Sequence, residues 1–127
     1  MLARLVIASI MALSASAAMA QSPQWYFYKE VSGIEVYYAV RINPDEARVS
    51  WKCVNKTGDA VSCSVGAGQN KVYRCVRDGT PVGFTEALGE RATAPARGEY
   101  AFPSESACNG KGASQVEPYG VQISIER

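Results

Sequence analysis

The feature that most constrains the fold is a stretch of alternating apolar and polar residues that carries three of the four cysteines. Residues 49–84 contain four short β-type runs, separated by gaps rich in glycine, asparagine and aspartate. Cys53, Cys63 and Cys75 lie inside these runs. A period of two is typical of strands that bury one face, and turn-rich gaps connect neighbouring antiparallel strands. The stretch predicts an antiparallel meander held by disulfide bonds.

The first twenty residues have the pattern of an export signal. Arg4 supplies a positive charge, residues 5–13 are apolar, and the Ala-Met-Ala sequence at residues 18–20 matches a signal peptidase site. The apolar run is shorter than the ~20 residues of a transmembrane helix. We expect residues 1–20 to be a cleaved signal peptide, short and alanine-rich in the bacterial style. Residues 21–127 would form a single β domain that is periplasmic or secreted, with no membrane span.

Four cysteines in an exported chain predict two disulfide bonds, and the sequence leaves three connectivities open. We favour Cys53–Cys63, which would cross a hairpin, and Cys75–Cys108, which would tie the C-terminal segment to the meander. The chain-entropy model assigns them about 3 and about 4 kcal/mol. The alternative is a zinc site, but the chain lacks closely spaced cysteine pairs and histidine, so we predict no metal.

Alternation also marks the segments on either side of the meander. Residues 25–31 are aromatic and strand-like, Ser32-Gly33 is a candidate two-residue turn, and residues 34–42 alternate throughout. Residues 121–125 predict a terminal strand. Residues 85–99 show no period and contain four alanines, two glycines and a proline, so we expect a long irregular connection there.

Seven to eight short strands, with turn signals roughly every ten residues, predict an all-β fold. No amphipathic helix is long enough to cover a sheet, so the sheets must bury one another. We expect a small disulfide-stabilised antiparallel β-sandwich, immunoglobulin-like, or a small barrel. In the strand of residues 71–76 we place Tyr73 and Cys75 inward, because cystines are usually buried.

The composition argues against most enzyme chemistry. The chain has no histidine, and disulfide formation would leave no thiolate, which removes the usual nucleophile–base pairs and metal ligands. The twelve acidic residues are scattered, and only Glu86 and Glu90, on the long connection, are candidates for a carboxylate-using hydrolase. Without Arg4 the acidic and basic residues balance, so we expect no nucleic-acid partner. We expect no cofactor and no enzymatic activity.

Aromatic residues concentrate in the first predicted hairpin. If alternation holds, Tyr26, Tyr28 and Tyr37 form an outward stripe, and tyrosine is a preferred anchor of protein and carbohydrate contacts. The alternative is that a second layer covers this stripe. Arg91 and Arg97 on the long connection are further binding candidates.

One short segment resembles a known family. Tyr73-Arg74-Cys75 followed by Asp78-Gly79 resembles the Y-x-C-x-x-G opening of periplasmic lysozyme inhibitors, which are small exported β-barrels, with one more residue before the glycine. The resemblance covers about a dozen residues in mid-chain, and the inhibitory S-G-x-x-Y loop is absent. It implies a disulfide such as Cys75–Cys108 and inhibition of a hydrolase, through a loop such as residues 85–99.

The hypothesis that accounts for most of these features is an exported, non-enzymatic binding module. It would contact a protein or cell-envelope partner through the aromatic hairpin and the long connection. A hydrolase inhibitor is the first alternative, and a small carboxylate-using hydrolase is the second.

Overall fold

The computed structural model describes residues 23–43 and 45–127, so the predicted signal peptide lies outside the described residues. The predicted all-β domain is confirmed, with eleven strands in the described chain instead of seven to eight. The elements are β1 Tyr26–Val31, β2 Ile34–Ile42, β3 Ala47–Asn55, β4 Val61–Val65, β5 Lys71–Arg77, β6 Thr80–Ala87, β7 Glu90–Ala94, β8 Gly98–Ala101, β9 Glu105–Ala107, a 3-10 turn at Cys108–Gly110, β10 Gln115–Pro118 and β11 Ile123–Glu126.

The strands form three antiparallel sheets. Sheet A has the order β1-β2-β3-β8, and β9 pairs with β3 on the same side as β8. Sheet B has the order β11-β4-β7, and sheet C has the order β10-β5-β6. β1 lies next to β11 and β7 next to β8, so sheets A and B border each other at two places. The predicted single meander is wrong, because β3, β4 and β5 each belong to a different sheet.

Strict alternation builds the core of each sheet. In β3 every second residue is buried, from Ala47 to Asn55, with Trp51 at the centre. Tyr73 and Cys75 are also buried, which confirms their predicted inward facing. Alternation therefore identifies the buried face of β3, and cystine burial identifies that of β5.

Both preferred disulfides are present. Cys53–Cys63 spans 10 residues and Cys75–Cys108 spans 33. The first does not cross a hairpin, because β3 and β4 do not pair; it joins sheet A to sheet B. The second ties the 3-10 turn that follows β9 to β5. Each bond thus connects elements that share no strand pairing.

The predicted irregular connection over residues 85–99 is wrong. The segment contains the end of β6, all of β7 and the start of β8, and β7 pairs with β4 along its whole length. Its inward residues are small: Ala94 is fully buried and Ala92 packs on the core. Alanines do not produce the β-branched and aromatic signal by which strands are recognised. Gly98 begins the short strand β8.

A buried polar network connects the sheets at the centre of the molecule. The ammonium of Lys71, 1% exposed, donates to Glu105 Oε1 at 2.7 Å and lies 3.7 Å from Glu90 Oε1. The Tyr73 hydroxyl donates to Glu105 Oε2 at 2.5 Å and accepts from Trp51 Nε1 at 2.7 Å. Burial, and secondly the hydrogen bond to Glu105, raise the pKa of Tyr73 far above its ordinary value. The Glu105 carboxylate thereby accepts hydrogen bonds from two side chains of β5.

Candidate functional site: the outer aromatic face of sheet A

The facing of the aromatic hairpin is set by a β-bulge. Close to the tight turn, Val31 pairs with Ile34. Beyond an irregularity at Tyr28, the register has shifted by one residue and Phe27 pairs with Tyr37. Without this bulge the same turn would pair Tyr28 with Tyr37 on one face. A slip of one residue exchanges the two faces of a strand, so the predicted stripe of Tyr26, Tyr28 and Tyr37 is not formed.

Tyr28 faces the core. Its ring packs edge-on against Trp51, with ring centroids 5.2 Å apart. Its hydroxyl accepts a hydrogen bond from the backbone N–H of Val121 at 2.9 Å and donates to the carbonyl of the same residue at 3.1 Å. These contacts hold the segment before β11 against sheet A. The predicted outward position of Tyr28 is therefore wrong, and its visible contacts are structural.

Of the three predicted tyrosines, only Tyr37 lies on the outward surface of the hairpin, where other aromatic residues join it. Trp25, Phe27 and Tyr37, together with Lys52 of β3, form what we call the outer aromatic face. Phe27 is 56% exposed, and its ring contacts that of Tyr37 edge-on, with centroids 5.7 Å apart. The ammonium of Lys52 lies 4.7 Å from the centre of the Trp25 ring and 5.5 Å from that of Tyr37. Cation–π contacts of this geometry order the two flanking rings.

Charged side chains border this face. The Tyr37 hydroxyl donates to Glu35 Oε1 at 2.8 Å, and Lys56 lies 3.3 Å from the same oxygen. The hydrogen bond from Tyr37, more than the neighbouring Lys56, lowers the pKa of Glu35. The same hydrogen bond raises the pKa of Tyr37. Lys52 lies 3.7 Å from Glu99 of β8, so the face carries both signs of charge.

The two predicted arginines occupy different surfaces. Arg97, in the turn before β8, lines a hollow with Lys56 and Glu99 and so borders the outer aromatic face. Arg97 has a φ of 51°, and its N–H donates to the carbonyl of Thr57 at 2.9 Å. Arg91 lies on β7 opposite Ser64 and lines a hollow of about 440 Å³ beside the loop of residues 66–70. The structure therefore brings Arg97, and not Arg91, to the border of the face that carries Tyr37.

Tyr26 is 45% exposed but points to the other side of the hairpin. It pairs with Tyr38, whose ring contacts that of Trp51 on the core side of sheet A. Sequence reasoning missed Trp25, Phe27 and Lys52 as members of the outward surface. The aromatic run itself was visible in the sequence, but only the position of the bulge decides which half of the run faces out.

The carboxylates that could serve a hydrolase are engaged separately. Glu86 on β6 accepts a hydrogen bond from Asn70 Nδ2 at 3.3 Å. Glu90 on β7 lies beside the buried ammonium of Lys71. Within residues 23–43 and 45–127, no three acidic, cysteine or histidine side chains are grouped as metal ligands would be. The same residues include no helix with the length and apolar character needed to cross a membrane.

Comparison with known proteins gives no relative. No family model matches the chain, and neither a characterised protein nor a solved structure is significantly similar to it.

Proposed function

We propose that the protein is an exported, non-enzymatic binding module that contacts a protein or cell-envelope partner through the outer aromatic face. The observation that carries this proposal is the exposure of Phe27 beside the ring of Tyr37, on a face where the Lys52 ammonium lies against the rings of Tyr37 and Trp25. Ordered aromatic side chains lose little entropy on binding, and they dominate the energy of protein contacts. The balanced charges at the border suit a partner that is recognised by shape and polar contacts more than by charge.

Export is the second part of the proposal. The signal-like pattern of residues 1–20 and the two disulfides support an oxidising compartment, the periplasm or the exterior.

The test is capture from an envelope extract with the purified exported protein as bait. We expect a partner that binds the wild type and is lost with Phe27→Ala. Phe84→Ala is the matched control, because Phe84 is also 56% exposed but lies on β6 of sheet C. Circular dichroism would check that both variants remain folded. Equal capture by the wild type and Phe27→Ala would refute the proposed site.

One observation still supports the hypothesis that the protein inhibits a hydrolase. The Cys75–Cys108 disulfide is present, as the resemblance to lysozyme inhibitors implies. The loop of residues 85–99 that was to enter an active site is instead largely paired in strands. Lysozyme activity measured with micromolar protein tests this second function, and an unchanged rate would reject it.

A further inference from the structure

A groove between sheets A and C is a second candidate binding surface. It lies on the opposite face of β2 from the outer aromatic face. Its volume of about 340 Å³ is within the range of small-molecule sites. The floor and walls come mainly from β2 and β10. The main lining residues are Tyr26, Tyr38, Val40, Ile42, Val116 and Glu117.

The groove combines an aromatic wall with a single charge. The rings of Tyr26 and Tyr38 lie 5.6 Å apart and are tilted by 35°. Glu117 is the only charged residue among those that line the groove. Burial, and secondly the charge of Glu117, raise the pKa of Tyr38. A carboxylate and the faces of two aromatic rings are groups that attract a cation.

The polar atoms of the groove retain free acceptor capacity. Glu117 accepts a hydrogen bond at Oε1 from Arg74 at 2.9 Å, and both side chains are 40% exposed. Within the part of the chain that the structure describes, Glu117 Oε2 and the hydroxyls of Tyr26 and Tyr38 make no hydrogen bond to another residue. These oxygens can accept hydrogen bonds from a donor that enters the groove, while Val40 and Val116 offer apolar contact.

We propose that this groove binds an aliphatic primary ammonium ion. The ammonium group donates to Glu117 and lies against the tyrosine rings, where cation–π attraction and charge-assisted hydrogen bonding act together. The aliphatic chain packs on Val40 and Val116. The proposal is independent of the proposed function, because the outer aromatic face lies on the other side of sheet A.

The probes are pentylammonium and the uncharged 1-pentanol, which has the same aliphatic chain. Each is titrated into the ¹⁵N-labelled exported protein and followed by the amide shifts of Val40, Val116 and Glu117. We expect saturable shifts with pentylammonium, and about tenfold weaker binding of 1-pentanol, since one charged hydrogen bond is worth about this factor.

Two variants of opposite expected effect separate a binding role from a structural one. Glu117→Gln should weaken pentylammonium binding about tenfold. Arg74→Met should tighten it, because the competing guanidinium is removed from Glu117. Glu86→Gln, which removes a carboxylate from β6 outside the groove, should leave binding unchanged.

Three results would overturn the proposal. The first is the absence of saturable shifts at about 50 mM pentylammonium, where even a weak site is occupied. The second is equal binding of the two probes, and the third is unchanged binding in both Glu117→Gln and Arg74→Met.

Discussion

Replacing Glu105 with leucine tests the buried polar network most directly. The carboxylate is 19% exposed and accepts hydrogen bonds from both Lys71 and Tyr73. Its removal therefore leaves two buried donors without this acceptor. Removing one partner of a buried ion pair costs about 3–5 kcal/mol. Glu90 remains 3.7 Å from the ammonium and offsets part of this cost, whereas the Tyr73 O–H, left without an acceptor, adds about 1–3 kcal/mol. We therefore expect a net loss of about 4 kcal/mol.

Urea unfolding with both disulfides intact measures this loss. In the double variant Glu105→Leu with Lys71→Met, the buried charge is gone and apolar side chains fill its place. That variant should recover at least half of the stability, because a buried pair can be replaced by apolar residues at little cost. Asp59→Asn is the control: it breaks the exposed pair with Arg127 and should cost less than about 1 kcal/mol.

Two outcomes would refute this reasoning. A cost below about 1 kcal/mol for Glu105→Leu would mean that water or another group satisfies the Lys71 ammonium. A double variant no more stable than Glu105→Leu would mean that the buried charge is not the source of the loss.

Three further measurements address single features of the fold. Tyr28→Phe removes both hydrogen bonds to the segment before β11 and should lower the free energy of unfolding by about 1–2 kcal/mol; an unchanged urea midpoint would contradict this. Gly89→Ala places a Cβ against the carbonyl oxygen of Gly66 and should cost about 1–3 kcal/mol, whereas Gly58→Ala meets only a side-chain end and should be neutral. The raised pKa of Tyr73 means that its phenol stays neutral in the folded state at a pH where it ionises in the unfolded state. Its contribution to the free energy of unfolding is therefore complete below the unfolded pKa of about 10 and decreases as the pH rises above that value. Tyr73→Phe should flatten this alkaline loss in unfolding curves recorded at several pH values.

Much of the local structure was predictable because it depends on neighbours in sequence. The Ser32-Gly33 and Asp78-Gly79 turns both have positive φ at each residue, as two-residue hairpins require. The inward facing of Tyr73 and Cys75 followed from the usual burial of cystines. Both disulfide pairings were the preferred ones among three open connectivities, although Cys75 and Cys108 are separated by 33 residues.

The candidate site was only partly predictable. The aromatic run around Phe27 was visible, but its outward members were assigned from an unbroken register. The bulge at Tyr28 reverses that assignment for the residues of β1 and leaves Tyr37 outward as predicted, and no local sequence pattern indicates the bulge. It coincides with contacts to Trp51 and Val121, and Val121 lies 93 residues away in the chain.

The amino-acid sequence alone determined that this chain forms short antiparallel strands joined by tight turns and held by two disulfides, because periodicity and turn chemistry act between near neighbours. Only the tertiary structure decided which strands share a sheet and which aromatic residues face outward. Those outcomes depend on contacts between distant segments, such as Lys71 with Glu105 and Tyr28 with Val121, whose energies are not encoded in any local pattern.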